Sequence, residues 1–176
     1  MERLSREVIL RALERLAGEL ARAHARAEIF VAGGAALVLL YGAREATKDV
    51  DAITTSPQGR RLVFEAAAKV AADLGLPPDW LNDGAKGYVR GIAPGEVLLE
   101  TPSLVVRALA PYQLLAMKLS AWRDDVDIDD ARLLLGKLAG DKAAVWRQVE
   151  PHLVPGRELK AQYAFEDLWE ATRGHS

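Results

Sequence analysis

The chain has 176 residues, half of them hydrophobic, with 23 basic and 25 acidic side chains and a formal net charge of -2. That suffices for one domain with a helical appendage, and the near-neutral balance gives no general electrostatic footprint for duplex DNA. With no cysteine, disulfides, thiolate nucleophiles and Cys-zinc sites are excluded. No apolar run approaches a membrane span and the N-terminus lacks a signal-peptide layout, so the expected location is cytoplasmic, away from the membrane.

In chain order, residues 5–26 place Val8, Ile9, Ala12, Leu13, Leu16 and Leu20 at helical spacing behind Ser5, a natural N-cap. "EIFVA" reads as a short buried strand ended by glycine, and "AALVLLYG" as two helical turns stopped by Gly42. "KDVDAIT" alternates, with Val50 and Ala52 on one face and Asp49, Asp51 and Ile53 on the other. Ser56-Pro57 opens a helix over roughly 59–75, closed by Gly75. Residues 79–96 look like loop with short elements, in which Asn82-Asp83 make a turn.

"VLLET" and "LVVRALA" are predicted strands separated by a Pro102-Ser103 turn. "PYQLLAMKLSAW", at 111–122, is a helix with proline at its first position. "DIDDARLLLGKLA", "DKAAVWRQVEPHL" and a segment near 158–172 complete a helical tail. The acids of "DDVDIDD", at 124–130, are expected in a loop, an N-cap and a first turn. The order predicts an α/β (α+β) core over 1–110 and a C-terminal helical segment over 111–176 packed on it. The three histidines, His24, His152 and His175, have no metal-ligand spacing, and the four tryptophans read as packing anchors.

Chemistry concentrates in "FVAGGAALVLLYGAREATKDVDAIT", at 30–54. Carboxylates two apart on a strand project to one face, and such a pair is costly unless a positive charge lies between them. A hard divalent cation, Mg²⁺ or Mn²⁺, suits that geometry because it takes a few carboxylates and keeps waters and phosphate oxygens. Gly33-Gly34, where a strand turns into a helix, would let phosphate reach backbone N–H groups at the positive end of that helix. Together these parts suit a nucleoside triphosphate with its metal and in-line displacement at phosphorus. Alternatively the aspartates face solvent on an edge strand, and the glycine pair is a tight turn.

The combination of apolar strand, Gly-Gly, short helix and Asp-x-Asp resembles the nucleotidyltransferase superfamily typified by DNA polymerase β. More narrowly, "REATKDVD" with "LLAMKLSAWRDDVDIDDARLLL" is similar to small bacterial proteins related to the AbiEii-type nucleotidyltransferase toxins of type IV toxin–antitoxin systems; the likeness covers roughly residues 28–136. The resemblance implies a mixed sheet flanked by helices. It implies Gly33 and Gly34 at the triphosphate, Asp49 and Asp51 on metal, and Arg44 and Thr47 shaping the loop into the metal strand. Lys118 would contact nucleotide phosphate or structure the site, with Asp127 or Asp130 nearby. The third carboxylate of the family, a base or metal ligand, has Glu100 as its candidate. The implied activity is transfer of a nucleotidyl group from an NTP to a hydroxyl of RNA, protein or a small molecule, with a cognate protein partner in a toxin–antitoxin-like setting. A catalytically degenerate binding or regulatory module is the alternative, and the amount of apolar helix is compatible with a homodimer.

Overall fold

A computed structural model describes residues 3–173; His175 lies outside them. The chain divides into two compact units, Met1–Ala85 with Pro94–Leu109, and Lys86–Ala93 with Ala110–Ser176. The expected single boundary near residue 110 is therefore interrupted, because the segment Lys86–Ala93 groups with the helical tail.

The first unit is built on a five-stranded mixed sheet. Its members are β2 (Ala27–Ala32), β4 (Val50–Thr54), β5 (Leu81–Asn82), β6 (Pro94–Glu100) and β7 (Leu104–Leu109), in the order β5-β4-β2-β7-β6. Strand β2 is central, antiparallel to β4 and parallel to β7. Its unbroken apolar run fits that place: Ile29, Phe30, Val31 and Ala32 are all buried. A separate two-stranded pairing joins β1 (Leu4–Ser5) to β3 (Ala46–Thr47), a contact of distant dipeptides that periodicity does not reveal.

Helix α1 (Arg6–Arg22) is capped by Ser5, whose Oγ accepts from the Val8 N–H. It turns Ile9, Ala12, Leu13, Leu16 and Leu20 inward. It packs against α3 (Pro57–Leu74), which starts at an N-cap Ser56 followed by proline. Trp80 is fully buried and its Nε1 donates to the Ala67 carbonyl at 3.1 Å, tying the approach to β5 onto α3. Helix α2 (Gly33–Tyr41) is apolar all round, and Ala35 to Leu39 are buried accordingly.

The second unit is helical: α4 (Pro111–Ala121), α5 (Asp125–Gly136), α6 (Lys142–Val149) and α7 (Glu158–Arg173), with a 3-10 turn at Glu150–His152. Trp146, Phe165 and Trp169 pack in sequence with tilted rings, at centroid separations of 5.0 and 5.8 Å, as aromatic packing anchors. Gln113, fully buried on α4, holds the segment 86–93: its Oε1 accepts from the Ala93 N–H and its Nε2 donates to the Arg90 and Gly91 carbonyls. No helix among the described residues is long and apolar enough to cross a membrane.

Candidate functional site

The chain leaves β2 at Ala32 and enters α2 through Gly33, whose φ of +62° is left-handed. A side chain there would be strained, and its Cβ would sit 3.0 Å from Asp51 Oδ2. The approach follows from strand register, since Asp51 is the cross-strand partner of Ala32. At Gly34 a Cβ would lie 2.9 Å from Thr47 Oγ1 and 3.6 Å from an Arg44 guanidinium nitrogen. The bare backbone of the glycine pair thus has a carboxylate on one side, and a hydroxyl and a guanidinium on the other. The N-cap of α2 is Ala32, which provides no side-chain cap, and its first turn has no acidic residue. The carboxylate beside the start of α2 comes from the neighbouring strand, as Asp51 against Gly33.

Asp49 lies just before β4 and Asp51 within it, so the strand is shorter than its alternation predicts; both residues are half-buried. Each carboxylate has one oxygen held from the same turn. Asn82 Nδ2 donates to Asp49 Oδ2 at 3.0 Å, and the Ala85 N–H donates to Asp51 Oδ1 at 3.1 Å. This turn leaves β5, the parallel neighbour of β4, in a register that sets Asn82 beside Asp51. Asp83, also in the turn, is paired with Arg60 at 2.7 Å. Asn82-Asp83 thus open the expected turn, and its grip on both aspartates is a long-range pairing that the local pattern does not encode.

Hard oxygen donors on one strand end, beside a backbone cradle that a Cβ would fill, fit Mg²⁺ or Mn²⁺. Among the described residues there is no group of three or more Asp, Glu or His arranged to hold a metal. The remaining positions of such an ion would fall to water and phosphate oxygens.

Glu100 does not join this group, which corrects its expected role as third carboxylate. It is the partner of Val105 on β7, which aligns with Glu28 on β2, whereas Asp51 aligns with Ala32. Four residues of rise and three strand spacings separate the two backbone positions by roughly 19 Å. The physical reason is direction: β6 is the far edge strand and runs antiparallel to β7, so its last residue lies at the opposite end of the sheet.

Lys118 belongs to the helical unit, and there it is deeply engaged. Its Nζ lies 2.9 Å from Asp127 Oδ1 and 2.7 Å from Asp130 Oδ2, with side-chain exposures of 14%, 2% and 7% for the three residues. Arg123 adds its backbone N–H and its Nε to Asp127 Oδ2, both at 3.0 Å. Burial alone would raise the carboxyl pKa of Asp127; the hydrogen bonds from Arg123 and Lys118 outweigh it and lower the value to about 2. Of the acids expected in a loop or first turn, Asp124 does cap α5. Asp125 and Asp127 lie in its first turn as expected, and Asp127 and Asp130 are also the buried counterions that join α5 to Lys118 of α4, the neighbourhood that the resemblance implies.

The structure therefore gathers Gly33, Gly34, Arg44, Thr47, Asp49 and Asp51 around the start of α2 and β4, and leaves Glu100 out. Comparison with protein-family models, with curated proteins and with solved structures gives no match in any of the three.

Proposed function

We propose that the sheet unit binds a nucleoside triphosphate with one divalent cation and transfers its nucleotidyl group to a hydroxyl of RNA, protein or a small molecule. The observation that carries this reading is the convergence of the glycine turn with Asp51, and of Thr47 and Arg44 with Gly34, at the start of one helix. Asp49 and Asp51 would hold Mg²⁺ or Mn²⁺, which neutralises phosphate charge and polarises the phosphorus for attack. The Gly33-Gly34 amides and the Arg44 guanidinium orient the triphosphate and keep it close to the carboxylates. The acceptor oxygen forms the new bond to the α-phosphorus in line with the bond that breaks, pyrophosphate departs, and the acceptor proton passes to water. The expected setting is cytoplasmic, with a cognate protein partner in a toxin–antitoxin-like pair and a homodimer as the quaternary expectation.

The test is transfer of label from α-labelled ATP, GTP, CTP or UTP with Mn²⁺ to RNA or protein acceptors. Product proportional to protein concentration, and lost in Asp51→Asn, supports the reading. The placement of Glu100 at the far end of the sheet favours a second reading, a degenerate fold that binds nucleotide and acts through a partner. Bound nucleotide without product across all four nucleotides and both acceptor classes would select that second reading.

A further inference from the structure

We infer that Asn82 is a positioning residue for the divalent cation: the turn Asn82–Ala85 presets Asp49 and Asp51 before any ion arrives. This rests on the proposed reading of the aspartate pair as the cation site.

The amide of Asn82 is engaged on all sides. One Nδ2 hydrogen goes to Asp49 Oδ2 at 3.0 Å, the other to the Asp79 carbonyl at 3.2 Å, and Oδ1 accepts from the Gly84 N–H at 2.8 Å. A backbone donor on one end and two acceptors on the other permit a single orientation of the amide. Three residues on, the Ala85 N–H holds Asp51 Oδ1. One short turn thus supplies a neutral donor to each of two like charges that would otherwise repel. Aspartate at 82 would be isosteric yet wrong, because it loses both donors and sets a third negative charge against Asp49. Gly84 is part of the device: a Cβ there would meet Asn82 Oδ1 at 2.8 Å and Asp51 Oδ1 at 3.5 Å. Groups that orient metal-binding carboxylates typically control affinity 10–100-fold.

The experiment is titration of the full chain with Mn²⁺, with and without ATP, followed by electron paramagnetic resonance of free and bound ion. The proteins compared are wild type, Asn82→Ala and Gly84→Ala, each with its urea midpoint. Gly84→Ala keeps every polar group and presses first on the Asn82 amide, so it stands if Asn82→Ala fails to fold. The expected result is Mn²⁺ affinity roughly 10–100-fold lower in both variants, with a broadened bound-ion spectrum and cooperative unfolding retained. Wild-type affinity and spectrum in the variants overturn the role of Asn82 while leaving the site intact. Weaker binding with an unchanged bound-ion spectrum marks a merely structural role and also overturns it. A wild type that binds no Mn²⁺, alone or with ATP, removes the reading of the site itself and this inference with it.

Discussion

Asp51 and Gly33 face each other so closely that a methyl group on Gly33 would lie 3.0 Å from Asp51 Oδ2. The contact joins the start of α2 to β4 through cross-strand register, and the missing Cβ of Gly33, whose φ is left-handed, leaves room for it. Gly33→Ala is expected to cost about 1–2 kcal/mol through the backbone alone, and further through displacement of Asp51. Urea unfolding measures the first effect, and loss of Mn²⁺-dependent nucleotide affinity beyond that of the surface control Gly18→Ala measures the second.

Gly34 and Thr47 form a second tight pair, with 2.9 Å between Thr47 Oγ1 and a Cβ on Gly34. Gly34→Ala should destabilise in wild type and less so in a Thr47→Ala background. A double-mutant cycle on unfolding free energies is expected to yield a coupling of about 1 kcal/mol, within the range for residues in contact. A coupling below about 0.3 kcal/mol would show that the loop relaxes freely around position 34.

Lys118 answers to Asp127 and Asp130, and its removal would take the ammonium from two buried carboxylates, of which Asp127 keeps Arg123. Lys118→Met is expected to destabilise the chain by about 3–5 kcal/mol, read as a drop in urea midpoint. Loss of nucleotide affinity at unchanged stability would instead assign Lys118 to the phosphate.

The same cluster sets an acid limb. Against the cost of burial, the hydrogen bonds from Arg123 and Lys118 hold the Asp127 carboxyl down to about 2 in the folded chain, from an ordinary value of 3.8. A carboxyl whose pKa is depressed by folding stabilises above its unfolded value, and that contribution is lost as pH falls through the folded value. About 2 kcal/mol should therefore disappear between roughly pH 4 and pH 2. Asp127→Asn should flatten the stability profile across that window, and a profile as steep as wild type would place the acid-sensitive group elsewhere.

Elements set by local chemistry were legible in the sequence. Ser5 and Ser56 cap helices, Pro57 and Pro111 open them, and Gly42 and Gly75 close them, because capping depends on neighbours along the chain. The glycine pair and aspartates were legible for the same reason, each sitting on a recognisable strand end. What escaped depends on distant pairings. Asn82 reaches Asp49 across 33 residues, and no periodicity encodes that bond. Glu100 was misplaced because strand order is not written in any one strand; alternation shows which face a residue takes, but not which end of the sheet its strand reaches. Asp127 is the first-turn acid that the pattern predicts, whereas its burial with Asp130 against Lys118 is a tertiary fact that helical periodicity does not encode.

The central claim, a cation and triphosphate held by Asp49 and Asp51 beside the glycine turn, is tested most directly by calorimetric titration. ATP, GTP, CTP and UTP would be titrated with Mg²⁺ or Mn²⁺ into wild type and into the Asp49→Asn/Asp51→Asn variant. Metal-dependent binding of at least one nucleotide by wild type, lost in the variant, is the predicted result. Equal binding by both proteins, or none by wild type, would contradict it.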